Sequence, residues 1–145
     1  TTGRDVTGIA IRALGECGRT GQMVEAYAAA RPHLHGNDLH ACQLFLMAFS
    51  GRIGAVDNLL INQLQMLDDD TKAYWRAIAA RVENAHDTTW REAMTTLAQT
   101  STSASIRRAA ARHLAHTLPV AETLTSYERD VLDDTESTRR AIDDL

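Results

Sequence analysis

The chain has little of what usually constrains a small fold through covalent or backbone restraints. Its 145 residues include two cysteines, Cys17 and Cys42, too few for a disulfide framework. Both lie inside apolar helical pattern, where a small buried hydrophobe would sit, and we read them as reduced thiols in a cytosolic compartment. Two prolines and eight glycines leave long alanine-rich stretches uninterrupted, so helix propensity runs high. β-Branched residues never alternate strictly with polar ones, which removes the strand signal. No apolar run approaches the ~18–20 residues needed to cross a bilayer, and no secretory leader is recognisable. A formal charge of −4 argues against a general surface for nucleic acid or anionic membrane.

That charge is unevenly spread. Residues 1–100 carry nine basic and eleven acidic groups, whereas 101–120 carry Arg107, Arg108 and Arg112 with no acid. Residues 121–145 then hold eight acids against three arginines, an acidic end.

The periodicity that is present is helical. Residues 5–17 place Val6, Ile9, Ala10, Ala13, Leu14 and Cys17 on one face. Gly18 and Gly21 break that helix. Gln22 to Ala30 starts another with Met23, Tyr27 and Ala30 inward, ended by Pro32, whose ring clashes with a preceding helical turn. Residues 33–37 read as a loop and Asp38 as the N-cap of Leu39 to Phe49, a helix apolar all round and therefore central. Gly51 ends it as a C′ glycine. The fourth helix uses Ile53, Val56, Leu59, Leu60, Leu64 and Leu67. Asp68, Asp69 and Asp70 open the fifth, where carboxylates suit unpaired N–H groups and the dipole. Its buried stripe is Tyr74, Trp75, Ile78, Ala79 and Val82. After a turn at 84–87, Thr88 to Ala98 turns Trp90, Met94 and Leu97 inward. The polar run 100–105 caps a helix from Ile106 to Thr117, closed by Leu118 and Pro119. Thr125 or Ser126 caps the last helix, whose Leu124, Tyr127, Val131 and Leu132 can dock on the others.

The punctuation repeats. Cys17-Gly18-Arg19-Thr20-Gly21-Gln22-Met23 aligns with Ser50-Gly51-Arg52-Ile53-Gly54-Ala55-Val56 at an offset of 33, and Asn84 to Trp90 follows at an offset of 34. Inward positions keep pace, first Met23, Val56 and Trp90, then Tyr27, Leu60 and Met94. Two helices per period of about 34 residues is the tetratricopeptide length, although the Trp, Leu-Gly and Tyr signature of its first helix is absent, and chance periodicity in a plain helical bundle is the alternative. Each pair has an apolar side that only stacking can bury. Truncating Ile53, Leu60, Trp75 or Trp90 should be most costly, each buried side chain contributing roughly 1.5–3 kcal/mol.

Residues that could carry chemistry are few. His33, His35 and His40 have a spacing that could offer a metal three imidazoles, but with no cysteine nearby we read them as a solvated loop. His113 and His116 lie three apart and read as a surface-helix pair. The Asp68–Asp70 run lacks the glycine and glutamate of a calcium loop, and capping accounts for it. Arg107, Arg108 and Arg112 form a small basic face or a partner for the acidic tail. Tyr74, Trp75 and Trp90 can either line a peptide groove or fill the core. No Gly-x-Ser-x-Gly elbow, Cys–His pair or phosphate loop is present.

Phe49, Gly51, Val56, Leu59 and Leu60, followed by a polar turn and the Tyr74-Trp75 helix, resemble a helical region found in some bacterial rhomboid-family intramembrane serine proteases. The arginine-rich run from Ile106 and the closing helix resemble the end of that region, so the similarity spans roughly residues 41–135. It implies a cytoplasmic module attached to a membrane protease. The family's Gly-x-Ser-Gly nucleophile motif is absent, and no catalytic role transfers to any residue here.

The expected fold is all-α, with antiparallel hairpins over about 5–31, 38–67 and 68–98 and a closing helix at 106–117. These would stack as a short right-handed tetratricopeptide-like solenoid within residues 1–120, followed by an acidic helix or linker at 121–145. The expected function is a non-catalytic scaffold or regulatory interaction module without cofactor or metal. Its interaction surface would draw on Tyr74, Trp75, Trp90, Arg107, Arg108 and Arg112. The partner would be a protein, a peptide or another copy, not nucleic acid, with membrane contact only through flanking segments. The alternatives are an adaptor domain of a soluble protein, or a metal-binding bundle using His33, His35 and His40.

Overall fold

The computed structural model describes residues 2–115 and 122–143. Its helices are α1 (Thr2–Glu16), α2 (Thr20–Ala30), α3 (Gly36–Phe49), α4 (Ile53–Asn62), α5 (Asp69–Glu83), α6 (Thr89–Thr100), α7 (Ala104–Ala115) and α8 (Ser126–Asp143). A 3-10 turn at Arg31–His33 lies between α2 and α3, and no strand occurs among the described residues. The protein is all-α.

Local chemistry explains the boundaries. Gly18 and Gly51 sit at φ 75° and 72°, a left-handed conformation that costs a side chain about 1–2 kcal/mol. Each closes a Schellman turn. The Gly18 N–H donates to the Gly15 carbonyl and Arg19 to Leu14, as Gly51 donates to Ala48 and Arg52 to Met47, all at 3.0–3.1 Å. The third aligned turn is built differently. There the Asp87 carboxylate accepts from the N–H and hydroxyl of Thr89, both at 3.1 Å. Pro32 ends α2 as expected. Asp68 caps α5 by accepting from the Thr71 N–H at 2.7 Å, and that hydrogen bond holds its carboxyl below the ordinary range. Ser103 accepts from the Ile106 N–H, capping α7. Thr125 and Glu128 form a reciprocal capping box at the start of α8.

Packing follows chain order. α3 lies on α1 and α5, and α5 on α7, while α2, α4 and α6 each contact the helix before and the helix after. α8 departs from that order and returns to α2 and α3. The centre is α3, whose Leu44, Leu46, Met47, Ala48 and Phe49 are all buried. Met23, Val56 and Trp90 are buried, as are Tyr27, Leu60 and Met94, the two equivalent sets read from the sequence.

Several boundaries and faces differ from the sequence reading. On α1 the inward side chain is Ile11, with Leu14 beside it, while Val6 and Ile9 are 59% and 68% exposed and Cys17 is exposed. The reason is glycine. A methyl on Gly15 would overlap the Phe49 ring, so α1 approaches α3 closely through its backbone there, with Ile11 and Leu14 rather than Val6 and Ile9 as the packed side chains. Asp38 lies within the first turn of α3, and His35 is the N-cap residue. Helix α2 begins at Thr20 and α4 ends at Asn62, leaving Leu64 buried in the connection. Ile53, at the first position of α4, is exposed, and so is Tyr127 on α8, where Leu132 is the buried anchor. The expected end of the α7 helix at Thr117–Pro119 lies outside the described residues, as does His116.

Candidate functional site

The face made by α1, α3, α5 and α7 gathers most of the aromatic side chains. Trp75 on α5 meets Phe45 and Phe49 of α3 at ring-centroid distances of 5.1 and 5.9 Å, and Tyr74 at 5.3 Å. Tilted and edge-to-face contacts of this kind suit the ring quadrupoles. From α1, the Arg12 guanidinium lies 5.0 Å from the Trp75 ring centre, and its Nε donates to Glu16 at 3.2 Å, one helical turn on. Arg12, Glu16 and Phe45 keep part of their surface in solvent, while Trp75 is 4% exposed beneath them. An aromatic floor therefore carries a cationic lid.

Beside it runs a buried polar chain. The Tyr74 hydroxyl lies 3.1 Å from His113 Nε2, and Arg81 lies 3.1 Å from His113 Nδ1 and 2.8 Å from its carbonyl oxygen. A guanidinium only donates, so Nδ1 accepts and the proton sits on Nε2, donated to Tyr74. That tautomer is neutral. Burial lowers the His113 pKa to about 4, with the Arg81 charge acting in the same direction. Burial also raises the Tyr74 hydroxyl, against the opposing charge of Arg12. Arg81 is itself buried, and desolvation lowers its pKa. Its guanidinium stacks 4.6 Å from the Trp90 ring, Arg91 lies 4.7 Å from that ring, and the indole N–H donates to the Ala85 carbonyl at 3.1 Å.

The residues expected to form an interaction surface divide into two groups. Tyr74, Trp75 and Trp90 are 1%, 4% and 2% exposed, so they are core and cannot themselves line an open groove. Arg108 and Arg112 are exposed on α7, whereas Arg107 donates to the Ser101 carbonyl at 2.7 Å and fixes a connection that Ser101 ties to Asp70. Among the described residues, the acids of α8 that form ion pairs do so away from this basic face. Asp133 and Glu136 of α8 instead pair with Arg52 at 2.8 and 2.7 Å. His113, expected on a surface, is buried because Ala109, Ala110 and His113 form the inward side of α7. Its i, i+3 and i, i+4 spacing from those two alanines was the available signal.

His33 and His35 are exposed, and His40 is half-buried with its Nδ1 unpartnered and its pKa lowered by burial. Among the described residues no group of three or more histidine, cysteine, aspartate or glutamate side chains is placed to hold a metal ion. No helix among them is long and apolar enough to cross a membrane. The arrangement defines an all-α protein with a guanidinium-covered aromatic face. No protein-family model, no curated protein and no solved structure matches the chain.

Proposed function

We propose that the chain is a non-catalytic helical-repeat scaffold that recognises a protein or peptide segment along the face of α1, α3, α5 and α7, with a second copy as one form of that partner. The observation that carries this reading is the sequential packing of α1 on α3, α3 on α5 and α5 on α7, joined by two Schellman turns of one geometry 33 residues apart. Stacked hairpins of this kind leave one continuous side of first helices available, the side that helical-repeat proteins use for extended ligands. In this reading the stack is a short right-handed tetratricopeptide-like solenoid closed by α8. The similarity of residues 41–135 to the rhomboid-associated region supports a module on the cytoplasmic side of a membrane protease, tethered by flanking spans.

A photo-crosslinking amino acid placed at Phe45, and separately at Ile61 on the outer side of α4, tests the interaction reading in the source cell. A discrete adduct from position 45 and none from 61 supports it. Adducts from neither position, or equally from both, remove it. The membrane attachment fails if the natural gene encodes no hydrophobic spans on either side of this segment.

A further inference from the structure

Around the Tyr74–His113 pair the charges of the described residues do not balance. Among the described residues, Arg12, Arg81 and Arg112 act on the Tyr74–His113 pair, and Glu16 is the carboxylate that does so. Glu16 is engaged by Arg12. Arg112 is exposed and makes no hydrogen bond or ion pair among the described residues, and the same holds for Arg108 one turn earlier. His113 is neutral near pH 7 and held by Tyr74 and Arg81, so it positions the floor without adding charge. The protein as a whole carries −4, with acids concentrated towards its end, which makes a local cationic excess on this face the more notable.

We propose that this face binds an acidic peptide segment, whose carboxylates pair with Arg12 and Arg112 while an apolar side chain rests against Phe45. The inference rests on the interaction-module reading and adds the partner's chemistry to it. Guanidinium groups pair with carboxylates through two parallel hydrogen bonds, and Arg12 is preorganised for this by its stacking on Trp75 and its bond to Glu16. A nucleic acid or other extended polyanion is disfavoured, because beyond the immediate patch it meets a net negative protein. A short segment with a few acids meets only the patch.

The full chain is panned against a displayed library of randomised peptides of about 12 residues. Selected peptides should be enriched in Asp and Glu over the library, with at least one large apolar residue. Arg12→Gln and Arg112→Gln should each weaken the best peptide by about ten-fold, and added salt should weaken it further. Arg91→Gln, which alters a different aromatic contact, should leave it unchanged. Both tested arginines retain solvent exposure, and thermal melts confirm that the variants fold. Binders without acidic bias, or acidic binders indifferent to both substitutions, overturn the proposal while leaving the module reading in place. A single-stranded oligonucleotide that binds more tightly with the same arginine dependence also overturns it. No binders together with no crosslink at position 45 sink the module reading itself.

Discussion

Replacing His113 by glutamine removes a proton-binding group whose behaviour the fold dictates. At pH 7 the imidazole is neutral in both folded and unfolded chains, so His113→Gln costs only packing and two buried hydrogen bonds, about 1–3 kcal/mol. On acidification the states diverge. The unfolded imidazole takes up a proton near its ordinary value of 6.5, whereas the folded one, enclosed with the Arg81 charge beside it, does so only at about 4. Between those values the unfolded chain holds the extra proton, so stability falls as pH falls. The gap is about 2.5 pH units at roughly 1.4 kcal/mol each, so the wild type loses about 3 kcal/mol through this group between pH 7 and 4. His113 is 8% exposed, which leaves little solvent to screen the effect.

The variant lacks this loss, while every other titrating group is common to both proteins. Urea unfolding at pH 7, 5.5 and 4.5 should therefore show the wild-type advantage shrinking, by about 2 kcal/mol at the lowest pH. Nitrogen-15 shifts should show a neutral ring protonated on Nε2 at pH 5.5. A wild-type advantage that stays constant with pH, or a ring already charged at pH 5.5, refutes the buried-neutral argument.

Gly51→Ala should cost about 1–2 kcal/mol in chemical denaturation, since it forces a methyl into the left-handed region close to the Glu83 backbone, and Gly18→Ala should cost about 1–2 kcal/mol for its left-handed backbone. Gly54→Ala, helical with nothing near the added methyl, should instead stabilise by about 0.5–1 kcal/mol; destabilisation there would contradict the helix assignment. Arg52→Ala should remove its ion pairs with Asp133 and Glu136 and speed amide exchange across 127–136 by about five-fold, with α3 and α5 unaffected, and high salt should mimic it in the wild type. Leu60→Ala should cost 2–5 kcal/mol and Ile53→Ala well under 1, on the calorimetric scale; equal costs would mean that the burial of α4 is misassigned.

What could be read from the residues was what is decided locally. The glycine turns, the Asp68 cap, a cap at Thr125 and the break at Pro32 each depend on a few adjacent positions, and each is found. The inward sets Met23, Val56, Trp90 and Tyr27, Leu60, Met94 followed from spacing alone and are buried. The face of α1 was misread because glycine carries no hydrophobic signal. Gly15 lets the backbone meet Phe49, which turns Val6 and Ile9 outward. His113 was misread for a different reason. Its spacing from Ala109 and Ala110 signalled the inward side, but its partners Tyr74 and Arg81 lie 39 and 32 residues away, beyond any local pattern. Arg52 and Glu136 are 84 apart, so the docking of α8 belongs to the same class of long-range facts. At the candidate site, Tyr74, Trp75 and Arg112 were picked out by residue type, but Arg12, which covers Trp75, was not.

The twin glycine corners have a consequence for how the protein can be edited. Because the chain leaves Gly18 and Gly51 in one conformation and meets an arginine after each, a splice from Gly18 to Arg52 needs no new bend. Such a shortened protein would lose α2 and α3 together, and those are the helices on which α8 rests. Excision of one internal cassette would thus take both supports from the terminal helix and strip the α3 rings from Trp75, so a single cut in the order of the parts reaches two distant elements at once.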